Sequence, residues 1–425
     1  SLQVDSLEQI LPDAVNENRA DILNSLAAYY LQNDIPRSRK YSQEALNISE
    51  KKNYRKGIAN SYTNLGHCLE YEGKYQDALS YYRKVLELIN EKNDLSGKQT
   101  ALLDIANIYK SMGDYFWAKK YYDDALKIAK GIGDDKSLGT LWNQIGNFHL
   151  DHGDYLTATE CFIKAVDYCE KAGFNRGKAY AAGNLGIISY TQKNNNKAKE
   201  YFLLCLEMLR TLKDLQGITS ILNNLGGVCL QMKDFENALK YFNEALELSQ
   251  KTKSVKIEAA TCHNIGKVYF EYEKKLPEAL KYLERSLQIK QKTGDQRSSV
   301  FTLVALAAVQ QQLGNFDKSL AYLDQADSIS VKLELKPMLP SIYKQYGETF
   351  SAMENYKKAY QYEQKNSEIQ DSLSGEENMK NIAEMQVKFE TAKKEKEIEL
   401  LNKDKEAQGA ITAEESRKQR IIIWS

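Results

Sequence analysis

Residues 143–162 read NQIGNFHLDHGDYLTATECF, and this stretch combines four features at fixed offsets. Gly146 is a small residue in an apolar run, and Ala158 follows it at twelve positions. Small residues at such offsets let two helix backbones approach closely, and Phe162, four positions after Ala158, lies on the same helix face and fills the gap to a neighbouring unit. Gly153 can adopt the left-handed conformation that ends a helix. The stretch therefore predicts two helices joined by a tight turn.

The same pattern returns about every 40 residues along the chain, a regularity that chance does not produce. Each unit is predicted to be a helical hairpin, and nine hairpins are predicted to stack into a solenoid. The first small residues of the units are Ala27, Gly66, Ala106, Gly146, Gly186, Gly226, Gly266, Ala307 and Gly347. The second small residues are Ala78, Ala118, Ala158, Ala198, Ala238, Ala279 and Ala359, the aromatic residues are Tyr82, Tyr122, Phe162, Phe202 and Phe242, and the turn glycines are Gly73, Gly113, Gly153 and Gly314.

The Asn-Leu-Gly word, the Gly-Asp-Tyr turn and the alanine and aromatic of the second helix resemble the tetratricopeptide repeat over about residues 20–370. The usual repeat has about 34 residues, so a longer unit implies longer helices, as in variants found in kinesin light chains, in Leu-Gly-Asn repeat proteins and in many bacterial signalling proteins. The resemblance implies an all-α, right-handed solenoid of about nine hairpins. The first unit lacks the second alanine and the last has Glu363 at the aromatic position, as expected for the ends of a solenoid.

Composition and charge favour a helical chain and exclude one class of partner. Lys and Arg together number 58, and so do Asp and Glu, so the chain lacks the basic excess that binding to nucleic acid requires. Only 5 Pro and a majority of helix-compatible residues indicate an all-helical protein. The six cysteines form no C-x-x-C pair and have no His at zinc-ligand spacing, which favours buried free thiols over disulfides or a metal site.

No motif in the sequence indicates catalysis or a bound cofactor. The chain has no nucleophile elbow and no P-loop, and its four His lie inside the repeat pattern or its turns. His149 and His152 are three positions apart, but no third metal ligand recurs nearby. We therefore expect no catalytic, cofactor or metal site. Peptide-sensing aspartyl-phosphate phosphatase regulators also use long repeats, but they place a three-helix bundle before the array, and repeats that start by about Ala20 disfavour that class.

In tetratricopeptide arrays the first helices line a concave groove that binds extended peptides or partner helices, so the resemblance implies such a groove here. The residue two positions before each small residue tends to face the groove, often as an Asn that offers a peptide backbone both a donor and an acceptor. This row comprises Ser25, Asn64, Asp104, Gln144, Asn184, Asn224, Asn264, Ala305 and Gln345. Neighbouring inward positions add His67, Asn107, Asn143, Asn147, Asn223 and His263, and a more apolar middle offers Leu150, Tyr180, Ile187, Tyr190, Leu230 and Phe270.

Two interpretations of this polar row remain open, and they are compatible. The row can consist of consensus residues that mainly satisfy local backbone groups, or it can contact a ligand. In the ligand hypothesis the row holds an extended segment whose apolar side chains are seated between Tyr180 and Phe270. Replacing Asn184, Asn224 and Asn264 with Ala would then abolish partner capture without unfolding the protein.

The 40-residue rule ends near Leu373, and a charged stretch follows over residues 374–416. This stretch predicts a long polar helix with one apolar seam. Two interpretations of the helix remain open: it caps the last repeat, or it forms a coiled coil that makes the protein a homodimer. The seam residues are Ile382, Met385, Phe389 and Ala392.

Residues 417–425 read RKQRIIIWS and combine a basic cluster with three isoleucines and a tryptophan. Interfacial Arg, Lys and Trp commonly flank the point at which a helix enters a bilayer. We therefore expect the start of a truncated transmembrane helix here. A frayed amphipathic end and a partner-binding peptide are the alternatives.

The whole layout resembles the extracytoplasmic sensor region of Bacteroidetes-type membrane-bound sensor histidine kinases. It consists of a lead-in over residues 1–19, the solenoid over 20–373, the charged helix and the basic, apolar end. The resemblance implies a region that senses a protein or peptide on the periplasmic side of the inner membrane. It further implies that one membrane span and a histidine kinase, or less often a helix-turn-helix regulator, follow. The alternative is a soluble cytoplasmic scaffold that assembles protein partners in its groove.

Overall fold

The computed structural model describes residues 2–31, 34–90 and 94–373, and every regular element in these ranges is helical. The helices pair into nine consecutive hairpins, which confirms the predicted all-α repeat architecture. The chain divides into two compact units, an N-terminal unit, Ser1–Tyr241, and a C-terminal unit, Phe242–Ser425. The helices are α1 Leu2–Ile10, α2 Asn16–Tyr30, α3 Ile35–Lys51, α4 Arg55–Tyr71, α5 Tyr75–Asn90, α6 Leu95–Ser111, α7 Tyr115–Ile132, α8 Asp135–Asp151, α9 Tyr155–Lys171, α10 Asn175–Thr191, α11 Asn195–Thr211, α12 Leu215–Gln231, α13 Phe235–Lys251, α14 Val255–Glu271, α15 Leu276–Lys292, α16 Gln296–Gln312, α17 Phe316–Lys332, α18 Leu339–Ala352 and α19 over residues 356–373.

A short turn joins successive helices, and the turn after α8 shows how its residues work. His152 follows α8, Gly153 lies in the left-handed region at φ 81°, and Asp154 precedes α9. The Asp154 N–H donates to the His149 carbonyl (2.9 Å), and the Asp154 side chain accepts from the Thr157 N–H (3.2 Å). The same aspartate therefore closes one helix and caps the next. Because α8 and α9 each have 17 residues, this turn and the equally short turn over 172–174 together produce the repeat length seen in the sequence.

The predicted turn glycines adopt the left-handed conformation. Gly73, Gly113 and Gly314 have φ values of 74°, 76° and 77°. Several other turns place a lysine or glutamate in the same region, where a side chain costs about 1–2 kcal/mol relative to glycine. The sequence pattern did not predict these turns. Their left-handed residues are Lys193, Lys213, Lys233, Lys253, Lys274, Glu334 and Glu354.

The repeated aromatic packs between its own hairpin and the next one at Tyr82, Tyr122 and Phe162. A Cβ built at Gly146 would lie 2.5 Å from the Phe162 ring, so the ring lies directly against the glycine backbone. Phe162 is fully buried and shares a core cluster with Leu185 and Ile188 of the next hairpin. Tyr82 has the equivalent place in the second hairpin. These contacts confirm the role predicted for the aromatic.

The last described hairpin departs from this arrangement. A Cβ built at Gly347 would lie 3.6 Å from its nearest neighbour, the Ala359 carbonyl oxygen, because Glu363 stands where five other repeats have an aromatic. Tyr362 stacks instead on Tyr346, with ring centroids 4.4 Å apart. The atypical last unit inferred from Glu363 is therefore a difference in packing as well as in sequence.

At the other end, α1 packs against the first hairpin and occupies about half of the predicted lead-in, and α2 begins within it at Asn16. Its Glu8 carboxylate accepts from the Tyr30 hydroxyl (2.6 Å) and pairs with the Arg37 guanidinium (2.6 Å). Arg37 also lies over the Tyr30 ring, 4.1 Å from its centroid. The lead-in is thus a short helix tied to α2 and α3 by charge and aromatic contacts.

All six cysteines are buried and free, which confirms their interpretation as core thiols. Burial raises the pKa of Cys161 to about 11 and that of Cys262 to about 11, so both thiols are protonated at neutral pH. They act as small apolar side chains of the core.

Within the described ranges, no helix combines the length and the apolar character that crossing a bilayer requires. The predicted charged helix over residues 374–416, its seam and the predicted span over residues 417–425 lie outside the described residues.

Candidate functional site

The first helices of neighbouring hairpins contact one another directly at several points of each unit. In the N-terminal unit α2 contacts α4, α8 contacts α10, and α10 contacts α12, and in the C-terminal unit α16 contacts both α14 and α18. The predicted polar row runs along these helices, from Ser25 to Asn224 in one unit and from Asn264 to Gln345 in the other. We call the face that carries the row in each unit the first-helix surface.

Asn64 connects α4 to α2. Its buried side-chain amide donates to the Asn24 carbonyl (3.1 Å) and to the Asn24 side-chain oxygen (3.3 Å). The Asn24 amide in turn donates to the Gly57 carbonyl (3.2 Å). Two neighbouring first helices are therefore held together by amide hydrogen bonds, and the Asn64 donor is used within the protein.

Asn184 connects α10 to α8 in a similar way. Its side-chain amide donates to Asn143 (3.0 Å) and to Asn147 (3.1 Å), which brings three predicted site residues together. The adjacent Gln144 has a buried side-chain oxygen without a hydrogen-bond partner. In the C-terminal unit the Gln345 amide donates to Gln311 (3.3 Å). The row thus has a structural role. Its side chains hydrogen-bond mainly to residues of the neighbouring first helix and not to backbone groups of their own helix.

The other predicted residues of the N-terminal unit have individual partners. Asn107 accepts from the Tyr122 hydroxyl (2.5 Å), and the Tyr180 hydroxyl donates to Asp214 (3.0 Å). Tyr190 is half-buried and hydrogen-bonded to Gln231. Asn223 and Asn224 lie half-buried on α12. Tyr180 and Tyr190 of the predicted apolar surface therefore use their hydroxyl groups in hydrogen bonds within the protein.

A buried polar cluster lies behind the predicted residue His263 of the C-terminal unit. Its ring nitrogen Nδ1 is 3.2 Å from the Thr302 hydroxyl, which also accepts from the Lys290 ammonium (2.8 Å). Burial lowers the pKa of His263 to about 3 and that of Lys290 to about 8. Asn264 lies beside His263 on α14, and Phe270 packs half-buried against the hydrophobic core. His263 is therefore a neutral, inward-facing group at physiological pH.

A charged cluster occupies the first-helix surface between α4 and α6. The Tyr82 hydroxyl lies 2.7 Å from His67 Nδ1 and donates to Glu70 (3.3 Å). Burial raises the pKa of Asp104 to about 6, against the lowering effect of His67. Burial lowers the pKa of His67, but the hydrogen bond to Glu70 and the charge of Asp104 outweigh it, so that this pKa is raised. The cluster concentrates two carboxylates around one imidazole.

Two adjoining pockets open on the first-helix surface of the first three hairpins. One has a volume of about 440 Å³ and extends from Asp21 and Ser25 to α4. The other has a volume of about 490 Å³ and lies between α4, α5 and α6. Lys56, Asn60 and Thr63 line both and form the ridge between them. Sequence reasoning missed this ridge, although Asn60 lies four positions before Asn64 and three before Thr63 and so shares a helix face with each of them.

A third cavity, about 830 Å³ in volume, lies in the C-terminal unit over the last hairpin. Gly347, Ala359 and Glu363 line it, so it occupies the region that an aromatic fills in five other repeats. The cavity therefore lies where Glu363 takes the place of the aromatic.

Comparisons with known proteins identify the repeat. Tetratricopeptide repeat models match residues 11–91, 137–211, 217–292 and 257–330, and a second such model matches residues 100–131. These matches cover more than half of the chain. The chain belongs to the tetratricopeptide repeat family. The comparison of this tetratricopeptide repeat protein with curated protein sequences gave no match.

Several solved structures share the fold. The quorum sensor NprR from B. thuringiensis, in its apo form, has a TM-score of 0.57 at 16% identity over 76% of this chain and 91% of its own. Aspartyl phosphate phosphatase F from Bacillus subtilis has a TM-score of 0.55 at 14% identity, over 84% and 95%. A signal-transduction ATPase with a tetratricopeptide repeat sensor from Pyrococcus horikoshii has a TM-score of 0.58 at 15% identity, over 85% of this chain and 55% of that one. This chain thus spans about half of the last protein's length.

These findings place the chain in a protein-interaction fold. The family models that match describe the repeat alone, with no catalytic family among them. Within the described part of the chain, no group of His, Cys, Asp and Glu is arranged to hold a metal ion.

Proposed function

We propose that the first-helix surface of the N-terminal unit binds an extended peptide or protein segment. The observation that carries this proposal is the pair of adjoining pockets that share Lys56, Asn60 and Thr63. Each pocket lies within the size range of small-ligand sites. Two pockets on either side of one ridge suit a chain that presents one side chain to each and crosses the ridge with its backbone.

The polar contacts of the surface support this proposal. Asn64 fixes α4 to α2, and Asn184 fixes α10 to α8, so the surface is shaped before any ligand arrives. A preformed surface lowers the entropy cost of binding. Asn60 is exposed on the ridge and offers both a donor and an acceptor to a peptide backbone.

We further propose that this binding region belongs to a bacterial membrane-bound signalling protein. The output would be a sensor histidine kinase, with the repeats on the periplasmic side of the inner membrane. The charged stretch over residues 374–416 and the basic, apolar stretch over 417–425 support this proposal. A ligand can drive such a sensor only if it binds two states of the array with different affinity.

A peptide-display selection tests the binding proposal. Random dodecapeptides would be selected on the purified chain, and the enriched peptides would be titrated by fluorescence anisotropy. We expect Asn60→Ala/Thr63→Ala to weaken their binding by about thirtyfold, because it removes two hydrogen-bonding side chains worth about 1 kcal/mol each.

The matched control is Asn47→Ala/Ser80→Ala, which removes the same kinds of group from exposed positions on second helices. Asn184 is less suitable for this test than the sequence suggested, because its loss also releases α10 from α8. Equal binding by the ridge variant, the control and the wild type would disprove the groove assignment.

The sensor proposal is tested on the gene. The coding sequence that follows Ser425 should contain about 15 further apolar residues and then kinase motifs. A stop codon directly after Ser425 would refute it and would favour the soluble scaffold.

A further inference from the structure

The pocket between α4, α5 and α6 has an apolar wall and charged groups at its two ends. Val85, Leu88 and Ile89 of α5 and Ala101 of α6 supply the wall. These side chains cannot hydrogen-bond a ligand, so they favour an aliphatic or aromatic portion. The apolar wall alone does not determine which class of side chain binds, and the charged residues of the pocket narrow it further.

The charges are separated along the helices. Arg55 and Lys56 line the pocket at the start of α4, and Asp104 lines it in the second half of α6. Each turn reverses the chain, so α4 and α6 run in the same direction. Asp104 lies seven residues after Gly97 on α6, and the two residues are therefore about 10 Å apart along the axis of that helix. Asp94, which caps the start of α6 by accepting from the Gly97 N–H, also lines the pocket, so the end at Arg55 carries two cations and one capping carboxylate, and the other end carries the Asp104 carboxylate.

In the described part of the chain the Asp104 carboxylate has no hydrogen-bond donor, and the opposite charge that acts on it is that of His67. Asn64 and Asn184, at the same position of their repeats, each make two hydrogen bonds. The nearby Glu70 adds negative charge. A partly buried carboxylate without a donor is unfavourable in the empty protein, and a donor brought by a ligand would relieve this cost.

We infer that this pocket receives a lysine or arginine side chain of the bound segment. The aliphatic part of the side chain would lie along Val85, Leu88 and Ala101, and its charged end would donate to Asp104. Lysine and arginine combine an apolar stem with a cationic head, which matches the wall and the carboxylate. Arg55 and Lys56 at the opposite end disfavour a second basic residue there. This inference rests on the proposed function and specifies which segments the surface accepts.

The test uses the dodecapeptides enriched on the wild-type chain. We expect a lysine or arginine at one aligned position of these peptides. Asp104→Asn should bind them about tenfold to a hundredfold more weakly, the range for a hydrogen bond to a charged group. Asp123→Asn, an exposed carboxylate on α7, is the matched control and should bind as the wild type does.

A peptide with norleucine in place of the basic residue keeps the aliphatic stem and loses the charge. We expect it to bind the wild type and Asp104→Asn equally, because the charge contact is absent from both complexes. If Asp104→Asn weakens both peptides to the same degree, the substitution has altered the pocket, and the inference is wrong. Enriched peptides without a basic preference would overturn the inference but leave peptide binding intact, and a failure to enrich any peptide would overturn both proposals.

Discussion

Gly186→Ala tests the packing rule that builds the array. A Cβ built at Gly186 would lie 2.6 Å from the Phe202 ring, closer than real Cβ atoms come, and Phe202 is fully buried. The ring must therefore shift against the core of its hairpin. At the equivalent position of the last repeat, a Cβ at Gly347 would have its nearest neighbour at 3.6 Å, an ordinary contact. The same substitution thus meets a buried ring in one repeat and only ordinary van der Waals contacts in the other.

The expected magnitude follows from two opposing effects. Replacing a helical glycine with alanine stabilises by about 1 kcal/mol at either site. Overpacking costs about 1–3 kcal/mol and applies at Gly186 alone. Ala106 coexists with a buried Tyr122 in the third repeat, so a repeat can adjust to the extra methyl group at moderate cost. We therefore expect Gly347→Ala to raise the free energy of unfolding above that of the wild type. The free energy of unfolding of Gly186→Ala should be about 2 kcal/mol lower than that of Gly347→Ala.

Urea unfolding followed by circular dichroism measures the stability, and hydrogen exchange of peptides from α10, α11 and α18 assigns it to a repeat, because arrays do not always unfold as one unit. Gly186→Ala/Phe202→Leu recreates the pair Ala307 and Leu323 that another repeat uses, and should recover part of the loss. Equal effects of alanine at both glycines, or no recovery in the double variant, would refute the packing rule.

Three further predictions concern turns and buried charges. Lys233 has φ 61°, so Lys233→Gly should raise the free energy of unfolding by about 1 kcal/mol. The control Lys240→Gly, at an exposed helical position, should lower it by about 1 kcal/mol. A change of the same sign for both variants in urea unfolding would contradict the turn assignment. Burial raises the pKa of Asp104 to about 6, so the folded state binds this proton more tightly than the unfolded chain does. The ionised carboxylate therefore lowers the free energy of unfolding by about 2–3 kcal/mol above pH 6 and has no effect below about pH 4. Asp104→Asn should stabilise the protein at pH 7 but not at pH 4, and an equal gain at both pH values would count against a buried carboxylate. Burial lowers the pKa of His263 to about 3, so the unfolded chain binds more protons than the folded protein below pH 6.5. The free energy of unfolding of the C-terminal unit should therefore fall by about 3 kcal/mol on acidification to pH 4. Hydrogen exchange should show no such fall in His263→Gln, and identical falls in the variant and the wild type would show that His263 is not buried in neutral form.

The sequence predicts the fold well because its repeated residues act locally. Gly146 and Phe162 lie in the two helices of one hairpin, and Gly153 lies in the turn between them, so their roles depend little on the rest of the chain. The left-handed Lys233 was not predicted, because turn geometry sets its conformation and the residue type opposes it. Local geometry thus accounts for the success of the prediction and for its gap.

The site was harder to predict because its properties depend on pairs of helices. The polar row was found, but its use differs from repeat to repeat: Asn64 and Asn184 bond to the preceding first helix, and Asp104 bonds to nothing in the described ranges. The predicted apolar surface from Tyr180 to Phe270 stays a prediction, while the adjoining pockets lie over the first three hairpins. Side-chain spacing within one helix cannot show how far away the next helix lies.

The larger of these two pockets lies where the polar row has an aspartate in place of an asparagine. Asn64 and Asn184 carry the N–H donors that tie their helices to the preceding first helix, and α2–α4 and α8–α10 are in direct contact. A carboxylate has no donor to offer, and in the described residues α4 and α6, where Asp104 stands, approach each other less closely than those pairs. At this pocket the polar row therefore supplies a carboxylate acceptor. A cationic side chain replaces the missing donor, so ligand binding at this repeat would supply the contact that asparagine makes within the protein elsewhere.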